Sequence, residues 1–176
     1  RQGGGSFTRY HEDMDAKALE YLDIERELRT AIENDELFLL YQPQYDVRAH
    51  KIRSVEALIR WKHPTRGLVN PGDFISVAEQ SGQIVDIGAW VIREACRQCR
   101  RWVDQGFNIR VAVNLSGIQF HQENLPELIK EALTDSNLPP DLLEVELTES
   151  IIMSDANSSI SRLNELKPLG LPLAVD

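Results

Sequence analysis

The sequence predicts an α/β protein with a largely parallel sheet, and three observations carry that prediction. From Ile109 onward, apolar strand-like runs alternate with helical runs in units of about 30 residues, the length of a βαβ repeat. The first two strand-like runs, 37–45 and 52–61, are joined by a turn at 48–51 that is too short for a crossover, so they pair antiparallel. Each later strand ends in a polar residue that core packing does not ask for: Asn114, Glu146 and Asp176.

Composition bounds what such a protein can do. Its 176 residues are 42% hydrophobic and 27% charged, enough to build a core, with one domain as the default. A net charge of −9 argues against a nucleic-acid duplex or an anionic membrane surface as partner, because both demand an excess of Lys and Arg. A phosphate ligand then needs a local device. No apolar run approaches the roughly 18–20 residues that cross a bilayer, and Arg1-Gln2-Gly3-Gly4-Gly5 lacks the apolar segment of a signal peptide. The cytoplasm is the simplest location.

Taken in order, residues 1–10 are Gly-rich and offer nothing to bury, which reads as a tail. A helical pattern follows over 11–33, with Leu19, Leu22, Leu28 and Ile32 as its apolar points, and reads as a connector helix. In the first strand Pro43 cannot donate to a ladder, so the strand either ends there or lies at an edge. After the second strand, residues 63–67 are expected to break the chain. Pro71 and Asp73 start a helix that Gly82 stops near Ser81. A longer helix is expected over 86–105, with Val91, Ala95, Cys99 and Trp102 on one face. Strands at 109–115, 142–148 and 171–176 are separated by helices over 124–133 and 155–169. Cys96 and Cys99 form C-x-x-C in mid-helix without two further ligands at matching spacing, so they read as buried core residues.

The chemistry concentrates in the second strand. Alternation places Ser54, Glu56, Leu58 and Arg60 on one face and Val55, Ala57, Ile59 and Trp61 on the other. Taken alone, that polar face is either a site or the solvated side of an edge strand. Intervals of 58, 32 and 30 residues link Glu56, Asn114, Glu146 and Asp176, which places each near the carboxyl end of a strand. In a closed barrel those ends share one rim. Three carboxylates and an amide oxygen converging there repel unless a cation neutralises them, and oxygen donors suit Mg²⁺ or Mn²⁺ rather than Zn²⁺. Such an ion is also the local device that an acidic protein needs for a phosphate substrate. Arg60 is placed to hold a phosphate oxygen, and Gln42 to meet a sugar, base or phosphate edge. Glu144 shares the parity of Glu146 but lies deeper, as a salt-bridged interior residue. His63 reads as a turn residue, and Ser116 has no His in these runs to make it a nucleophile.

With those positions in hand, the chain resembles the EAL domain family of bacterial cyclic di-GMP phosphodiesterases. The resemblance rests on five ordered motifs: Tyr41-Gln42-Pro43; Glu56-Ala57-Leu58 running on to Trp61; Pro71-Gly72-Asp73-Phe74-Ile75; Val113-Asn114-Leu115-Ser116; and Glu146-Leu147-Thr148-Glu149-Ser150. It implies a modified TIM barrel whose first strand is antiparallel, here an incomplete (β/α)8 barrel because five strands cannot close one of eight. It also implies Glu56, Asn114, Glu146 and Asp176 as metal ligands, Gln42 and Arg60 as dinucleotide contacts, and Glu149 as the residue that steadies the loop after the fifth strand. Two Mg²⁺ or Mn²⁺ ions then generate the nucleophile from water, and cyclic di-GMP is hydrolysed to linear pGpG. Residues 1–33 resemble the end of a GGDEF-like domain and its connector, and 34–176 the first part of the EAL domain, within a parent protein that is a homodimer with upstream sensory input.

The family pattern continues beyond Asp176 with a second metal-binding Asp and a lysine, so the 176 residues by themselves are expected to be inactive. Two rival readings remain at this stage: a receptor that binds cyclic di-GMP without hydrolysing it, and a structural module that binds no dinucleotide.

Overall fold

A computed structural model describes residues 12–48 and 50–175. Among the described residues one sheet of six strands forms, with helices packed on one of its faces. Helix α1 (Glu12–Leu28) leads into β1 (Leu37–Asp46) and β2 (Lys51–His63), followed by β3 (Gly67–Val69), α2 (Pro71–Ser81) and α3 (Ile84–Asp104). The chain continues through β4 (Arg110–Asn114), α4 (Gly117–Phe120), α5 (Leu125–Ser136) and β5 (Leu143–Leu147). It ends in α6 (Glu149–Ser154), α7 (Ala156–Leu166) and β6 (Leu173–Val175). The sheet order is β1-β2-β4-β5-β6, with β3 pairing β2. β1 and β2 are antiparallel, while β2–β4, β4–β5 and β5–β6 are parallel, as the turn length and the βα rhythm predict. The sheet is therefore an open run of barrel-like strands with an antiparallel first member.

Alternation splits each strand between two environments. Val55, Ala57 and Trp61 of β2, Val111 and Val113 of β4, and Leu143, Val145 and Leu147 of β5 are buried in the apolar cluster shared with the helices. Opposite the β4 and β5 side chains lie Ile92, Ala95, Cys96 and Cys99 of α3 and Ile129 and Leu133 of α5, belonging to the same cluster. Each such aliphatic side chain removed from water contributes about 1.5–3 kcal/mol. Both cysteines are fully buried, as expected, and Cys99 Sγ lies 3.3 Å from the Ile109 carbonyl. Burial pushes the Cys96 thiol up to about 12 and the Cys99 thiol up to about 11, so neither supplies a thiolate.

Several expectations need correction. The first helix, expected over 11–33, stops at Leu28 and gives way to turns, and Leu19 and Leu22 are exposed. Leu28 and Ile32 pack against the core as expected, joined by Ile24 and by Ala31 in the turns that follow, while His63 Nε2 lies 3.1 Å from Glu27 Oε2. The break at 63–67 is a hairpin into β3: His63 Nδ1 accepts the Thr65 and Arg66 amides, and Gly67 takes φ +72°. The sheet thus has a sixth strand, three residues long. Of the two alternatives at Pro43 the edge one holds: β1 runs on past it to Asp46 and lies at the edge of the sheet. The long helix starts at Ile84, α4 and α6 occupy stretches expected to be loop, and α7 starts after its Asp155 cap and ends before Pro168. The last strand covers only 173–175, and Asp176 lies outside the described residues.

Candidate active site

The face turned away from the helices carries the polar residues. Register places Gln42 opposite Glu56 and Phe38 opposite Arg60 on the β1–β2 pair. Glu56 is level with Ala112, and Asn114 with Glu146. Glu56 is not at a strand end: it lies midway along β2, which runs on to His63 because β1 and β3 pair with it past the last β4 contact. The stagger between β2 and β4 nevertheless brings it diagonally against Asn114, whose Nδ2 donates to Glu56 Oε1 at 2.7 Å. That bond fixes the Asn114 amide and leaves its Oδ1 as an acceptor.

Glu146 is only 6% exposed, and Gln44 Nε2 lies 3.5 Å from its Oε1. Gln44 in turn accepts from Ser54 Oγ at 2.5 Å. Deeper on the same face, Arg110 Nη1 donates to Glu144 Oε2 at 2.8 Å, the interior ion pair expected for Glu144. The polar row is thus paired side chain to side chain, with Glu56 half-buried and bonded to Asn114, which weighs against the solvated-edge reading of Glu56.

Beside this row opens a cleft of about 440 Å³ at the carboxyl ends of β2, β4 and β5. Arg60 and Asn114 line it, together with Ile75 of α2, Gly88 of α3, Gln119 of α4 and Thr148 after β5. Arg60 is half-buried, with Nη1 on the Ile59 carbonyl at 2.8 Å. Gln42 is exposed on the edge strand, and Glu149 is exposed at the first position of α6. Neither lines the cleft.

Glu56, Asn114 and Glu146 form an all-oxygen donor set of the kind that suits Mg²⁺ or Mn²⁺. Among the described residues no three His, Cys, Asp or Glu side chains come together to hold a metal. Two of the three expected carboxylates are described here, and the amide between them is already oriented. The donor chemistry of these residues therefore fits a divalent cation.

The family model for the EAL domain matches residues 25–176, most of the chain. The chain belongs to the EAL domain family. Signaling protein YkoW of Bacillus subtilis is 48% identical over 155 residues, covering 88% of this chain and 19% of that protein. The bifunctional diguanylate cyclase/cyclic di-GMP phosphodiesterase MucR of Pseudomonas aeruginosa is 41% identical, covering 99% of this chain and 26% of its own length. This EAL chain thus spans about a fifth to a quarter of those two relatives. Among solved structures, the PaMucR phosphodiesterase in complex with c-di-GMP superposes with a TM-score of 0.84 at 42% identity, over 88% of this chain and 63% of that one.

Sequence reasoning missed Gln119, Gly88 and Gln44 in this EAL site. Ser116-x-x-Gln119 is a capping-box pattern that was legible in the sequence. Gly88 and Gln44 carry no local signal, since their roles depend on neighbours 31 and 102 residues away.

Proposed function

We propose that this chain is the first part of a metal-dependent phosphodiesterase that hydrolyses cyclic di-GMP to linear pGpG. The observation that carries the reading is the Asn114–Glu56 bond at 2.7 Å with Glu146 in register beside Asn114, next to a cleft lined by Arg60. Phosphodiesterase relatives and a neighbour complexed with c-di-GMP support it.

In this reading Glu56, Asn114 and Glu146, with Asp176, hold the first of two Mg²⁺ or Mn²⁺ ions. When bound, such ions polarise the phosphoryl oxygen and lower the pKa of water. The Asn114 amide keeps the Glu56 carboxylate aimed, and Gln44 keeps Glu146 in place. Arg60 offers its remaining guanidinium N–H groups to a non-bridging phosphate oxygen, and Gln42 contacts the dinucleotide from the edge strand. Glu149 steadies the loop after the last strand. Residues 1–33 serve as a connector from an upstream GGDEF-like or sensory domain, 34–176 begin the EAL domain, and the parent protein is a cytoplasmic homodimer. No helix among the described residues is long and apolar enough to cross a membrane.

The test is to incubate the full-length protein with cyclic di-GMP and Mn²⁺ and follow the products. Appearance of pGpG that stops on chelation supports the reading. Tight binding in Ca²⁺ with no pGpG in Mn²⁺ replaces it with a receptor, and no binding at all replaces it with a structural module.

A further inference from the structure

We infer that Gln119 is a positioning residue for the metal-ligating oxygens, holding the exit of β4 from a seat on Gly88; the inference rests on the phosphodiesterase reading above. Three consecutive residues leave β4, and each is tied to a different neighbour. Asn114 Nδ2 donates to Glu56, the Leu115 amide donates to the Glu146 carbonyl at 3.0 Å, and the Ser116 amide donates to Gln119 Oε1 at 3.2 Å. Ser116 Oγ accepts the Gln119 amide in return, at 3.3 Å. Two of these ties run to the residues that carry the donor carboxylates. The third runs to Gln119 and fixes the far end of the same short segment.

Gln119 is itself held by shape. Its side chain is 5% exposed and lies over the Cα of Gly88, with Nε2 only 1.5 Å and Cδ 2.4 Å from where a Cβ on that residue would sit. A glycine inside a helix weakens the helix, and here it makes the one space into which the glutamine fits. An ordinary surface cap needs no such seat. Removing the Gln119 acceptor frees the Ser116 end of the segment, leaving the Asn114 side chain to be oriented by Glu56, its ladder place beside Glu146 and its neighbour Leu115. Loss of orientation at Asn114 weakens the cation before it affects the dinucleotide.

The test compares Gln119→Met, which fills the same unbranched space without an acceptor, with Gln119→Glu, which keeps the acceptor. Mn²⁺ affinity is read directly from the EPR signal of the free ion in the full-length protein, alongside kcat, KM and melting temperature. Gln119→Met should weaken Mn²⁺ and lower kcat by about 10- to 100-fold while KM for cyclic di-GMP holds. Gln119→Glu should stay within about twofold of the wild type on both measures, as a capping acceptor of the same length. Wild-type Mn²⁺ affinity in Gln119→Met, or equal damage in both variants, overturns the inference. If Gln119→Met does not fold, Gly88→Ala carries the same test: displacing the glutamine should weaken Mn²⁺, and an unchanged affinity overturns the inference. A wild-type protein that neither binds Mn²⁺ nor hydrolyses cyclic di-GMP overturns the underlying reading as well, a result seen before any variant is compared.

Discussion

Val111 and Val113 point into the helix layer, while Arg110 and Asn114 of the same five-residue strand point the other way, into a row of carboxylates and amides. β5 repeats the division, with Leu143, Val145 and Leu147 on the covered face and Glu144 and Glu146 on the other. The covered face is dry and apolar, and its energy comes from area removed from water. The inner face is held by directed pairs: Arg110 to Glu144, Asn114 to Glu56, Ser54 to Gln44 and Gln44 to Glu146. One backbone serves both faces because the strand period is two. A substitution one position away therefore changes which property is lost.

Val113→Asp should have the largest effect, since it places a carboxylate among fully buried apolar neighbours with no partner. Loss of the folded state, seen as the disappearance of the cooperative melt in circular dichroism, is expected; a variant that melts normally breaks the assignment of this face. Trp61→Ala should cost about 3–5 kcal/mol by denaturant titration, because a fully buried ring packed at 5.6 Å from Phe74 is lost. The ring nitrogen also gives up its 2.9 Å bond to Glu36. On the inner face, a double-mutant cycle on Arg110 and Glu144 should give a coupling of only about 1 kcal/mol, since both partners keep some contact with water.

The smallest effect at working pH belongs to the thiols. Burial disfavours the charged forms of Cys96 and Cys99 and pushes their thiols up to about 12 and about 11 in the folded protein, above the ordinary thiol range. Their contribution to stability is complete below about pH 9 and falls as pH rises toward the folded values, because the unfolded chain releases these protons first. Melting temperature should therefore drop between pH 9 and 11 by less in a Cys96→Ala, Cys99→Ala variant than in the wild type. An equal drop in both would remove the cysteines from the account.

The parts of the fold that were legible in the sequence are those with their own local signals. α2 carries its whole signature: Asn70 accepts the Gly72 amide, Pro71 follows, and Gly82 closes the helix at φ +80°. The antiparallel first pair follows from a turn too short for a crossover, and the parallel strands from the βα spacing. What escaped was set by partners distant in sequence. β3 is three residues whose only reason to be extended is the edge of β2, and α4 and α6 are single short turns beyond strand ends. In the site, residue type and parity identified the row Glu56, Asn114 and Glu146, but not how far β2 runs past Glu56, because strand length depends on the neighbours that pair with it. Leu19 and Leu22 show the same limit: helical spacing names an apolar face but not which face the tertiary contacts choose.

The most direct test of this division is Glu56→Gln, with melting temperature and hydrolysis of cyclic di-GMP in Mn²⁺ measured on the same sample. Glutamine keeps the shape and an oxygen for the Asn114 amide but loses the charge. The melting temperature should stay within about 2 °C of the wild type, as for a substitution outside the apolar core. Turnover should fall by about 100-fold or more, as the proposed role of Glu56 as a charged metal ligand requires. Turnover that survives unchanged, or a fold that collapses along with activity, would contradict the account.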